Sequence, residues 1–464
     1  MQLRRAVCCH SNPATEGQMI DRTSYAAWHG LTPMREYLTA VSPGDFLVEG
    51  EGVRVRDASG RWYIDARSGL WNVNLGYSER RIIERMTHQL ERLPFATATR
   101  FHHPCDITIE YANALAARLP EDVRRIRFAN TGSQANETAV LLSRYARGLD
   151  GKPERTAVIA LWDGYHGTGS GSSALTGEPY LHSSCGPVMP DVHHVPVADA
   201  MGSAPSTAPL ERALDRLGPE RVTAVIVEPV MGTGVIELPP AFLAELAARC
   251  RSLDVHLIFD EVTTGFGRTG GLTHAGLAGV TPDMITLGKG ITSGYAPAAA
   301  VAVSEDIYDE LFDHPATAPF ASAGSTTDGH PVAMAAALAV LEVLDADGLL
   351  ETIASRAELI AAQFAALRGR HDTVSQVRGV GMMWCCDLAA RDGTPAHPSV
   401  GRRIRAICES HGVLLSDGGQ VGGVMLMPPL VMSDDELLEV FSSIDVALTE
   451  VDGAVAETPR AIAR

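Results

Sequence analysis

The sequence is short of long apolar runs, of positive charge and of paired cysteines, and each shortage removes a class of protein. No run approaches the roughly 18 apolar residues that a membrane-spanning helix requires, so no membrane span is expected. The N-terminal Met1-Gln-Leu-Arg-Arg is basic, but the apolar stretch behind it is too short for a secretory signal. Lysine and arginine total 38 against 56 aspartate and glutamate, a formal charge of −18, which argues against nucleic acid or an anionic membrane as a partner. The eight cysteines include two adjacent pairs, Cys8-Cys9 and Cys385-Cys386, but no Cys-x-x-Cys. No metal site is therefore expected, and the thiols read as reduced, in a cytoplasmic protein. What remains is ordinary: 464 residues, 45% hydrophobic and 20% charged, enough chain for two domains with a sizeable core.

The middle of the chain alternates short apolar runs with helical spacing. Strands are predicted at 126–128, 157–161, 222–227, 256–259, 285–287 and 298–303, with helices such as 133–147 and 240–253 between them. That alternation predicts a mostly parallel sheet covered by helices on both faces, with ligands at the carboxyl ends of the strands. Upstream, 46–65 reads as a hairpin turning at Asp57-Ala-Ser-Gly60, and helices are predicted late in 74–94 and over 107–119. Downstream come Ala/Leu-rich helices over 331–344 and 349–367, a strand over 379–387, and a last helix that opens with the capping box Ser433-Asp-Asp-Glu436 and ends near Val451. The expected organisation is a large domain at 75–325 and a smaller α+β domain built from 21–74 and 326–450. Residues 1–20 and 451–464 are expected to lack order.

Four stretches carry chemistry. Gly288-Lys289-Gly290 follows an apolar run, so a lysine at a strand end has no flanking Cβ atoms to cover it; such a lysine can form an imine with a carbonyl compound. Ala129-Asn-Thr-Gly132-Ser133 opens an amphipathic helix, where free N–H groups and the helix dipole suit a phosphate. Trp162-Asp-Gly-Tyr165-His166-Gly167 offers an aromatic ring at a strand end. Asp260, just after a buried strand, needs a cationic partner such as a protonated pyridine nitrogen. Each also has a plainer reading: a solvated lysine in a turn, an ordinary N-cap, a packed tyrosine, and a structural ion pair or metal carboxylate. Lys289 comes 29 residues after Asp260, one strand–helix–strand excursion, so the two fall on neighbouring strands.

Together with Ser68-Gly-Leu-Trp71, Glu228-Pro-Val-Met-Gly232, Asp260-Glu-Val262-Thr-Thr-Gly-Phe-Gly-Arg-Thr-Gly270, Gly324-Ser-Thr326-Thr and Pro428-Pro-Leu430, these residues make the chain resemble the class III (ω-) aminotransferases from about 32 to 446. The resemblance implies an α/β pyridoxal-phosphate transferase of fold type I. It implies that Lys289 holds the cofactor as an internal aldimine and later moves the α-proton, and that Asp260 pairs with the pyridinium. Tyr165 and Val262 would flank the ring, Gly132 and Ser133 bind the phosphate, and His166 and Glu228 belong to the cofactor site. Trp71 would wall the substrate pocket, and Thr326 would come from the other subunit of a homodimer with a shared active site. The implied reaction moves an amino group between an amine or ω-amino compound and a 2-oxo acid such as pyruvate or 2-oxoglutarate. Many family members carry an arginine for a substrate carboxylate shortly before Pro-Pro-Leu; here the segment 415–427 has neither arginine nor lysine. That departure keeps open a relative acting on a single substrate, as an aminomutase, epimerase or decarboxylase.

Overall fold

The computed structural model describes residues 25–456 apart from 98–101, 184–185, 199–203, 315–322, 347, 391 and 419–421. The expectation for residues 1–20 lies outside the described residues. Among the described residues seventeen short strands run in chain order. β1 (Leu47–Glu51), β2 (Arg54–Asp57) and β3 (Trp62–Asp65) come first. β4 (Val123–Ala129), β5 (Ala157–Leu161), β6 (Val192–Val195) and β7 (Val222–Val227) follow, then a two-stranded ribbon of β8 (Val230–Met231) and β9 (Ile236–Glu237). β10 (His256–Asp260), β11 (Met284–Leu287) and β12 (Ala299–Ser304) complete the central sheet. β13 (Val374–Val380), β14 (Met383–Leu388), β15 (Val413–Leu414), β16 (Ser416–Asp417) and β17 (Val424–Leu426) lie near the C-terminus.

The central sheet has the order β4-β12-β11-β10-β7-β5-β6. Only β12 runs against its neighbours, so the carboxyl ends of β4, β5, β7, β10 and β11 share one edge. β5, β7, β10, β11 and β12 are buried at every position, which is why they read as unbroken apolar runs: helices cover both faces and no position faces water. The helix Gly132–Leu149 packs on this sheet through Ala135, Ala139, Val140 and Leu142. The helix Pro331–Ala346 is buried almost all round, packed against the helices Arg80–Arg92 and Asp106–Ala116, as its alanine and leucine content requires.

A second sheet, β1-β2-β3-β15, joins the chain ends: Val413 pairs in parallel with Ile64. The segment expected as one strand over 379–387 is instead a hairpin, β13 and β14, turning at Gly381 with φ of 55°. The turn is glycine because a Cβ there would lie 2.6 Å from the carbonyl oxygen of Arg268. The C-terminal helix, expected to stop near Val451, continues to Ala456; the rest of the expected tail lies outside the described residues.

That last helix is clamped by His371, which caps the helix Leu349–Arg370. Its ring nitrogens lie 2.7 Å from Asp445 Oδ1 and 2.7 Å from Asp452 Oδ2. Burial alone would lower the histidine pKa, but the two carboxylates outweigh it and raise it above its ordinary 6.5, while His371 and Arg370 hold Asp445 below the usual carboxylate range. The raised histidine gives stability that is complete below pH 6.5 and fades as pH rises through its folded value. The lowered aspartate gives stability present above the usual carboxylate range and lost in acid. We therefore expect His371→Gln to cost about 1–2 kcal/mol near pH 6, reduced by the partial exposure of both carboxylates. The deficit should shrink by pH 9, checked by urea unfolding at the two pH values; an equal deficit at both would contradict the clamp.

Candidate active site

Register brings the site together. Asp260, the last residue of β10, lies opposite Thr286 of β11, and Lys289 follows two residues after β11 ends. Lys289 has φ of 43°, a left-handed conformation that a non-glycine residue holds only where its surroundings enforce it. Its Nζ donates to Thr263 Oγ1 at 2.7 Å and stands 5.5 Å from the centroid of the Trp71 ring. Burial holds the amine below the usual lysine pKa, against the opposing pull of Asp260 and Glu228. Among the described residues Lys289 and Asp260 line one cavity of about 400 Å³, together with Gly132, Ser133, Tyr165 and His166.

The glycines around the lysine have reasons other than those the sequence suggests. A Cβ at Gly132 would lie 2.7 Å from Val262 Cγ1, and one at Gly288 3.1 Å from the same atom. A Cβ at Gly290 would lie 2.4 Å from Asn74 Nδ2. The missing side chains make room for Val262 and Asn74. Gly167, at φ of 119°, is different: a Cβ there would fall 2.2 Å from Ser133 Oγ, inside the hollow at the helix start.

Asp260 is fully supplied with donors. Its Oδ2 accepts from Asn136 Nδ2 at 2.6 Å and meets His166 Nδ1 at 2.8 Å; its Oδ1 accepts from the Val262 N–H at 3.0 Å. Thr286 Oγ1 donates to Asn136 Oδ1 at 2.7 Å, which fixes the amide in that orientation. Burial alone would raise the aspartate, but the His166 contact and its charge bring it below the ordinary carboxylate value. The same contact raises His166 against its own burial. Glu228 is buried beside them. Its two oxygens accept from the N–H groups of Tyr165, at 2.8 Å, and Gly232, at 2.9 Å. Desolvation pushes it up to about 7. At the start of the helix Gly132–Leu149, Thr131 accepts from the Gln134 N–H at 3.1 Å, and among the described residues the N–H groups of Gly132 and Ser133 have no partner, so they can meet an anion.

These features suit a phosphorylated pyridine aldehyde. An anion fits the helix start, a ring nitrogen fits Asp260, and an aldehyde fits a half-buried amine whose described partner is a hydroxyl. Of the residues singled out in the sequence, Glu228 and Trp71 adjoin the cavity, through Tyr165 and through the lysine amine respectively. Thr326 is outside it, exposed in a turn that Ser325 and Asp328 tie to Asn130. The sequence reading passed over Asn136, Thr263, Asn74 and Arg268. It also passed over a simple signal: Lys152 and Lys289 are the only lysines in the chain, and Lys152 is spent on Asp150 and Asp254 at the surface.

A family model described as "Aminotransferase class-III" matches residues 40–448. An omega-aminotransferase of Caulobacter vibrioides is 33% identical, over 92% of this chain and 98% of its own length. Among solved structures, an (S)-enantioselective omega-transaminase from Thermomicrobium roseum has a TM-score of 0.85 at 35% identity, covering 91% of this chain and 96% of that one. A PLP-bound amine transaminase from an uncultivated Pseudomonas species has a TM-score of 0.86 at 29% identity, covering 93% and 100%. The fold is thus that of the pyridoxal-phosphate-dependent transaminases. The chain belongs to the class III aminotransferase family and is an enzyme of that type.

The contact between Gly132 and Val262 can be tested directly. Gly132→Ala should overpack it and cost about 1–3 kcal/mol. Val262→Ala removes both methyl groups that the new Cβ would meet, leaving only a contact at 3.4 Å. The double variant should therefore lose less stability than the sum of the two single variants, by about 1 kcal/mol or more in a thermal double-mutant cycle. Strict additivity would refute the packing role.

Proposed function

We propose that the enzyme binds pyridoxal phosphate at Lys289 and transfers an amino group from a primary amine or ω-amino compound to a 2-oxo acid such as pyruvate or 2-oxoglutarate. The observation that carries this reading is the meeting, in one cavity, of the Lys289 amine, the Asp260 carboxylate and the helix start at Gly132 and Ser133. Gly132 and Ser133 would hold the phosphate, with Thr326 of the partner subunit reaching it in a homodimer. The exposed apolar side chains of Trp28, Leu47, Val48 and Leu70 are consistent with burial against a second copy. Asp260, oriented by Asn136 and His166, would face the ring nitrogen; Tyr165 and Val262 would flank the ring. The large domain at 75–325 carries most of these groups, and the small domain from both chain ends supplies the outer wall.

When bound, pyridoxal phosphate supplies a ring that draws electrons from the donor's reacting carbon, so that its proton can leave. Lys289 Nζ, whose pKa burial lowers, takes that proton and later delivers it in the reverse half-reaction. Glu228 fixes the backbone at Tyr165 and Gly232, which holds the aromatic wall in place. Trp71 closes the outer side. Its Nε1 donates to Ser416 Oγ at 3.2 Å, and Val230, Val235, Met383, Cys385, Met425 and Met427 pack behind it. The donor side is therefore apolar, and the segment 415–427 offers no arginine or lysine for a carboxylate. This favours donors whose reacting carbon carries no carboxylate. The reduced, buried cysteines at 105, 250, 385, 386 and 408 fit a cytoplasmic setting.

The test is a donor screen that follows loss of the cofactor's visible absorbance in the half-reaction. We expect 1-phenylethylamine to exceed phenylglycine, its carboxylated counterpart, by about tenfold or more in kcat/KM, because an unpaired carboxylate against an apolar wall costs at least about 1.4 kcal/mol. Lys289→Ala should lower turnover by about a thousandfold or more. Equal use of both donors would overturn the substrate class, and an active Lys289→Ala would overturn the mechanism.

A further inference from the structure

Arg268 heads the fully buried side chains by volume, with none of its surface exposed. No carboxylate comes within ion-pair distance of it among the described residues. Its acceptors are all neutral oxygens: Pro428 O at 2.5 Å, Asn74 Oδ1 at 2.7 Å, Ser68 Oγ at 3.3 Å and Met382 O at 3.4 Å. Its Nε has no partner among the described residues, and burial pulls its pKa down to about 9. A cation stripped of water and given only dipoles is held at a cost of several kcal/mol. The acceptors come from two distant parts of the chain, 68–74 and 382–428, which accounts for a tie but not for a charged one.

Asn74 connects this cation to the lysine. Its Oδ1 is taken by Arg268, and its Nδ2 donates to Phe266 O at 2.9 Å, so both ends of the amide are fixed. Its backbone is fixed too, since Asn74 O accepts from the Leu430 N–H at 2.7 Å and the next residue's N–H donates to Ser293 Oγ at 2.8 Å. The amide lies where a side chain on Gly290 would stand, 2.4 Å from a Cβ there. Gly290 is bonded to Lys289, and Lys289 is in a left-handed conformation that needs enforcing.

We propose that Arg268 is a positioning residue for Lys289, acting through the Asn74 amide that it holds against Gly290. The proposal rests on the reading of Lys289 as the cofactor lysine. A charged donor holds the amide more firmly than a neutral one. Its charge has a second consequence. Besides burial, Arg268 opposes a positive charge on the Lys289 amine, whereas Asp260 and Glu228 favour one. His166, beside Asp260, and the phenols of Tyr165 and Tyr295 are the other titratable groups lining the same cavity.

The chain's two lysines make the test clean. The full-length chain, freed of cofactor, is acetylated with trace acetic anhydride across a pH series, and peptide mass spectrometry compares Lys289 with Lys152 as internal reference. Only the uncharged amine reacts. Asn74→Asp sets a carboxylate beside the guanidinium and should raise the Lys289 midpoint by about one pH unit, a roughly tenfold loss of reactivity below it, with Lys152 unmoved. Asn74→Ala leaves the charge and removes the prop. In the holoenzyme it should lower kcat by about tenfold with KM for the amine within about twofold. A folded Asn74→Asp chain with the wild-type midpoint, or an Asn74→Ala enzyme with the wild-type kcat, overturns the proposal. Should Asn74→Asp not fold, Asn74→Ala decides. If the wild-type chain transaminates no donor and the midpoint still moves, the functional reading fails and the link from Arg268 to Lys289 stands.

Discussion

A carboxylate buried at the end of β10 sets the terms for everything around it. Asp260 can stay ionised away from water only if donors reach it from elsewhere in the chain. Asn136 comes from the helix that follows β4, His166 from the loop after β5, and Thr286 from β11 by way of Asn136. Those three elements meet because the sheet delivers the carboxyl ends of its parallel strands to one edge. Once they meet, the helix start at Gly132 and the lysine after β11 necessarily border the same hollow. Supplying one buried charge with donors thus also assembles the cavity.

The cavity has two halves with different physics. Around Asp260, Asn136, Ser133 and His166 almost every group is polar and oriented by another. Around Trp71 the packing is mostly thioether and aliphatic; the indole donates to Ser416 Oγ, and Cys385 behind it meets the Arg378–Asp387 pair. The polar half suits a group held the same way through every turnover. The apolar half suits a partner that comes and goes, chosen by shape and by the lack of charge.

Most of the central strands were legible because fully buried strands are largely apolar: five of the seven in the central sheet read that way, and of the arginine-rich β4 only 126–128 was read. β6 escaped because it is an edge strand, Val192-His-His-Val195, whose histidines break the pattern. The hairpin over 374–388 escaped because its turn rests on one glycine whose need arises from Arg268, a residue more than a hundred positions away. The site was legible wherever chemistry is local to a motif, as at Lys289, Asp260 and the helix start. It was not legible where contact is long-range: nothing in the neighbourhood of Asn74 or Asn136 in the sequence says which amide faces which carboxylate or glycine. The glycines beside the lysine were read as leaving it uncovered; that Gly132, Gly288 and Gly290 also leave room for Val262 and Asn74 was not legible.

The charges around Lys289 show why such long-range contacts matter for chemistry. Two carboxylates, Asp260 and Glu228, lie close enough to favour an ammonium, which could not take a proton. Three features blunt them. Asp260 is met at 2.8 Å by a histidine whose pKa it raises, so much of its field is answered locally. Glu228, desolvated, is driven to about 7 and is only partly ionised near neutrality. Arg268 adds a positive charge that no carboxylate among the described residues cancels. The lysine therefore keeps its lowered pKa from burial, and the acidic groups that orient the site do not undo it. A buried arginine without a carboxylate would be a defect in most cores; beside this lysine, giving it one would restore part of the pull that the amine has to escape.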